Sequence, residues 1–177
     1  VFPPANVPNL IFLFDDVATL QTFVATNDSA FFAPSPRANY LALAFDEQGS
    51  ISLGFHHYVH FLVRNFSDLR LPRWYEEGLA GYIARMQVDG DEVEFDRFSR
   101  SGNEGFIPLS ESLSMERLLY SDDALASPRL IQIANLKSSS LLHYFLHAYE
   151  EEGFVDRRSQ LRGYLEYLLE GRNPRYA

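Results

Sequence analysis

The chain has 177 residues, enough to bury one substantial core and too few to require two domains. Its formal net charge of -9, from 24 acidic against 15 basic residues, argues against gripping nucleic acid or a membrane surface, both of which call for positive charge. With no cysteine, disulfides and thiolate metal sites are excluded, while 46% apolar residues, including 15 phenylalanines and 10 tyrosines, supply a packed interior.

Residues 1–9, VFPPANVPN, read as an extended lead-in with neither the basic start nor the apolar stretch of a signal peptide. A start at valine fits a processed or trimmed chain, and with it an export signal already removed and a place in the cell envelope. Leu10 to Phe14 is an apolar run that predicts a buried strand, and Asp15 and Asp16 then open a helix with Val17, Leu20, Phe23 and Val24 at helical spacing. Phe31 to Pro36, aromatic and interrupted by prolines, predicts a loop or an edge. Tyr40 to Phe45 predicts a strand that ends at the turn-forming Gly49 and Ser50. From Ile51 to Phe66 there is no proline and no glycine after Gly54, and Phe55, Val59, Leu62, Val63 and Phe66 keep a helical rhythm.

Pro72 suits the start of a further helix, since its missing N–H has no intrahelical partner there. In that helix Gly78, Ala80 and Gly81 keep the surface low, so another backbone can approach closely. Val88 to Phe95 predicts a small hairpin around Asp89 and Gly90, and 97–105 a polar loop. Helices prevail thereafter: SESLSMERLL with Ser110 or Ser112 as cap, a longer one from Pro128 to about Tyr149, and a last one from Val155 to Leu169. The acidic runs at 89–96 and 150–152 predict solvated faces. The fold class expected is α+β in a single domain over 1–177, with a small N-terminal mixed sheet and a mainly helical C-terminal half. No segment reaches the length of a membrane span.

His56 and His60, four residues apart on a helix, fall one turn apart on one face, and two imidazoles so placed can share a metal ion. A hydrolytic zinc site takes three protein ligands and leaves a fourth position open. Glu77 on the following helix fits the third role, with Glu76 as its neighbour and rival about 100° around the helix. His143 and His147 form a second pair at the same spacing, read as packing or surface histidines because no accompanying glutamate signature follows them. Ser138, Ser139 and Ser140 lack the glycine-flanked turn of a nucleophilic serine, and no glycine-rich phosphate loop is present.

Residues 51–84 resemble the zincin-like peptidases of the gluzincin group, and especially bacterial domains of unknown function with a His-Glu-x-x-His motif followed by Pro-x-Trp-x-x-Glu-Gly-x-Ala-x-Tyr. The matching positions are His56, His57, Tyr58, Val59 and His60, then Pro72, Trp74, Glu77, Gly78, Ala80 and Tyr82. The resemblance implies a zincin-like fold, zinc held by His56, His60 and Glu77, and a peptide or protein segment bound in a cleft beside the Tyr40 to Phe45 strand, where an extended chain adds to a sheet edge. It also implies supporting positions around the site for Tyr58, Trp74, Tyr82, Asn135 and His143.

Three positions depart from the pattern. The catalytic position is His57 where the family has the glutamate that acts as general base, and a protonated ring beside a dication is electrostatically penalised. Gly81 stands where related proteins often carry a carboxylate that orients a ligand histidine. Asn135 stands where some members carry tyrosine. The expectation is a degenerate metallopeptidase that keeps its metal site with hydrolysis lost or reduced. The alternatives are an active peptidase using His57 or another base, and a peptide-binding or structural module of an envelope protein.

Overall fold

The structure, a computed structural model, describes residues 7–25, 29–45, 50–66, 71–95, 113–120, 127–150 and 152–171. The architecture is α+β, with a small mixed sheet in the N-terminal part and a largely helical C-terminal half. The chain forms two compact units, Val1–Asp68 with Ile83–Met86, and Leu69–Tyr82 with Gln87–Ala177.

In the first unit β1 (Asn9–Phe14) pairs in parallel with β3 (Asn39–Ala44), and β3 pairs antiparallel with β2 (Ala30–Pro34), giving the order β1-β3-β2. The crossover from β1 opens with α1 (Val17–Phe23), capped by Asp16, whose carboxylate accepts the Thr19 N–H at 2.7 Å. That bond holds the Asp16 carboxyl below the usual carboxylate range. Leu20 on α1 is fully buried with Ala42 and Ala44 of β3, and Phe14, Val17, Val24 and Phe31 close around them. The long helix α2 (Ser50–Phe66) packs on β2 and β3: Gly54 lies against Leu43, and buried Phe61 meets the Phe32 ring edge-on at 6.2 Å.

Two expectations for the sheet are overturned. The strand predicted at Tyr40 to Phe45 is the central one, hydrogen-bonded on both sides, so no peptide can add to it and it forms no cleft edge. The strand predicted at Leu10 to Phe14 to be buried is an edge strand whose Leu10, Ile11, Phe12 and Leu13 remain 41%, 58%, 48% and 69% exposed. An apolar run states only that a strand suits burial; which strand takes the middle is decided by pairing across the chain. The Phe31 to Pro36 stretch supplies the other edge, with Pro34 at the strand's end, where a missing N–H costs little.

In the second unit α3 (Arg73–Ile83) starts where predicted, the Pro72 carbonyl accepting from the N–H groups of Tyr75 and Glu76 at 2.9 and 3.1 Å. The hairpin follows as β4 (Met86–Asp89) and β5 (Glu92–Phe95), turning through Gly90 at φ 60°. α4 (Met115–Tyr120) is shorter than predicted and is capped by Ser114, which accepts the Arg117 N–H at 3.2 Å; Ser110 and Ser112, like the 97–105 loop, lie outside the described residues. α5 (Pro128–His147) begins at Ser127, whose hydroxyl accepts from Leu130 N–H, with proline at its first turn. α6 (Arg158–Leu169) starts three residues later than Val155, because Asp156 accepts both the Arg158 N–H at 2.9 Å and its guanidinium at 2.7 Å. Trp74, Leu113, Leu118, Ile133, Ala134, Leu142 and Leu161 form this unit's core, and the Trp74 indole N–H donates to the Tyr164 hydroxyl at 3.3 Å.

The small residues of α3 act as the sequence suggested. A Cβ on Gly78 would stand 2.7 Å from the Ser138 carbonyl oxygen of α5, and one on Gly81 would stand 3.1 Å from the Ser139 Cβ. Ser138 and Ser139 are correspondingly buried, their role being to let two backbones meet. Gly78→Ala is therefore expected to destabilise the protein by about 1–3 kcal/mol through overpacking. Gly163→Ala, in mid-α6 with open space around it, is expected to stabilise by about 0.5–1 kcal/mol. Chemical denaturation of the two variants beside the parent checks both signs.

Candidate metal centre

α2 carries His56 and His60 on one face, with ring centroids 4.8 Å apart, planes inclined at 72° and Nε2 atoms 3.1 Å apart. His60 is buried and His56 half-buried, so the pair is shielded yet reachable. α3 carries Glu77, and the ligand atoms of His56, His60 and Glu77 all lie within 4.8 Å of one another. Ligands about 2.0–2.2 Å from a tetrahedral ion stand roughly 3.4 Å apart, close to the separation of the two Nε2 atoms. A set of two neutral imidazoles and one carboxylate fits a divalent cation.

The other residues singled out from the sequence fall in several places. The His57 ring is edge-on to that of His56 at 5.7 Å, one residue and so about 100° around α2. Tyr58 is about 200° around the helix from His56 and stacks on Phe61, on the side turned to the sheet. Trp74 is a core residue. Gly81 faces Ser139, whose Cβ and Oγ would stand 3.1 and 3.3 Å from a Cβ placed there, so any side chain at this position meets Ser139 closely. Asn135, half-buried on α5, has a buried Oδ1 that accepts no hydrogen bond among the described residues.

Tyr82 belongs to an arrangement that sequence reading missed. Its hydroxyl lies 2.7 Å from His147 Nε2, and His147 Nδ1 lies 2.9 Å from a Glu150 carboxylate oxygen. The Tyr82 ring also stacks on Phe95 at 5.0 Å, and His143 stands 6.3 Å from it and 4.8 Å from His147. With a neutral imidazole, Tyr82 O–H donates to Nε2 and Nδ1–H donates to Glu150, a chain of three titratable groups with one consistent direction. Three-residue spacing of His147 and Glu150 at a helix end was the available signal, but nothing local tied either to Tyr82.

No family model matches this chain, and neither does any curated protein or solved structure.

Burial first, and then the charge of Glu150, push the Tyr82 phenol above its ordinary pKa of 10.0. Glu150→Gln should lower that pKa part of the way back, because the burial contribution stays. A raised folded-state value means that the folded form holds its proton longer, so the phenol's contribution to stability is complete below the ordinary value and is lost as pH rises through the folded one. Carbon NMR of the labelled tyrosine ring reads the shift directly, and an unchanged titration in the variant contradicts the assignment.

Proposed function

We propose that residues 1–177 form one zincin-like domain in which His56, His60 and Glu77 hold a single zinc ion, while hydrolysis is lost or strongly reduced. The observation that carries this reading is the convergence of two imidazoles and one carboxylate within 4.8 Å. Its donor chemistry is that of a three-ligand zinc site with a position left open. When bound, zinc polarises a carbonyl oxygen and lowers the pKa of water toward neutrality.

The chain's own residues explain the reduced chemistry. A general base beside such an ion has to take a proton while remaining electrostatically tolerable there, which a carboxylate does by becoming neutral. His57 instead becomes a cation on accepting one, and the dication opposes it. The role left is to hold a peptide or protein segment without cutting it, as a module of a cell-envelope protein. Within that reading Trp74 positions α3 from the core of its unit.

Two measurements test the proposal. Titration calorimetry of the metal-free protein with zinc should give one site, weakened by at least about tenfold in His56→Ala, His60→Ala or Glu77→Ala, and absence of binding ends the metal-site reading. In the second, His57→Glu should raise chelator-sensitive cleavage of an unstructured peptide by about 100-fold or more, the range of a positioned general base. High activity in the parent, unchanged by the substitution, contradicts the account of the missing base.

A further inference from the structure

β1 is an edge strand of unusual composition: NLIFLF contains no charge, no proline and no glycine, and four consecutive large apolar side chains are 41–69% exposed. Protein edges are ordinarily protected by lysine, proline, bulges or a covering element, because an apolar edge templates pairing with another strand. Its backbone directions follow from the pairing with β3. Pro8 C=O accepts from Asn39 N–H at 2.9 Å and Phe14 C=O from Phe45 N–H at 2.7 Å, so the even-numbered residues of β1 turn their amide and carbonyl toward β3. In a parallel pair both groups of a residue point the same way, which leaves Asn9, Ile11 and Leu13 turned toward the outer edge. Among the described residues no strand lies on that side.

We propose that this edge joins a second copy of the chain, β1 pairing antiparallel with β1 across a two-fold axis through Ile11. The occupant follows from register and charge. Antiparallel pairing with Ile11 opposite Ile11 sets Asn9 opposite Leu13, so every outward-facing residue falls in a hydrogen-bonded pair and about six hydrogen bonds form. The same register puts Leu10 opposite Phe12 of the other copy, an apolar pair on each side of the axis. Asp15 and Asp16, directly after the strand, then lie opposite the uncharged 6–7 region. A parallel arrangement stacks them on their own counterparts, at a cost in like-charge repulsion. The contact is isologous and consumes both β1 edges, so assembly through it stops at two copies. Six residues per copy cover less than the roughly 800 Å² per partner of a standard interface, so the dimer is weak and forms in the range of tens to hundreds of micromolar.

Sedimentation equilibrium of the full chain up to about 1 mM should show a monomer–dimer equilibrium, with the dissociation constant raised at least tenfold in Ile11→Lys at unchanged circular dichroism. Because the chain has no cysteine, single substitutions give an independent reading. Under mild oxidation Ile11→Cys should form a disulfide-linked dimer, its two Cα atoms standing about 5.5 Å apart across the axis. Leu13→Cys should not, since its two copies are separated by roughly 13 Å along the strands. A parent that stays monomeric, equal cross-linking of the two cysteine variants, or growth beyond the dimer each overturns the proposal.

Discussion

The contact of α3 with α5 depends on two absent side chains. Gly78 and Gly81 let the α3 backbone settle against Ser138 and Ser139, and even one methyl group at Gly78 meets a carbonyl oxygen at 2.7 Å. That approach fixes α3 in its unit together with buried Trp74, and so fixes the base from which Glu77 projects. At Gly81 a methyl group would stand 3.1 Å from the Ser139 Cβ, so a larger side chain there requires Ser139 to give way.

The candidate site was legible because its signals are local. Two histidines four apart in a segment without helix breakers have one plausible geometry, and α2 delivers it with Nε2 atoms 3.1 Å apart. Pro72 marked the start of α3, and Gly90 the turn of the hairpin, each through a backbone constraint that a single residue imposes. Strand order was not legible, because it is set by pairing between residues thirty positions apart, such as Asn9 with Asn39. An apolar run looks the same whether it lies centrally or at an edge. Hence β1 and β3 exchanged their expected places, and the cleft edge argued from the sequence disappeared with them.

Distance in sequence also hid the Tyr82–His147–Glu150 chain. His147 and its neighbour His143 read as packing residues, and packing is part of what they do, but His147 hydrogen-bonds through both ring nitrogens. Histidine pairs at one spacing thus occur twice in this molecule with different surroundings. The α2 pair has the Glu77 carboxylate of α3 within 4.8 Å of both rings, whereas on α5 the His147 ring is engaged at both nitrogens, by the Tyr82 hydroxyl and by Glu150. Spacing alone does not separate the two pairs; their surroundings do.

Trp74 is the only tryptophan in the chain, and it lies in the helical core with its indole N–H on the Tyr164 hydroxyl. Its fluorescence is consequently a local gauge of the second unit's helical core, whereas backbone dichroism sums over both units. Melting curves from the two signals coincide if the units lose structure as one cooperative body, and separate if they come apart in turn.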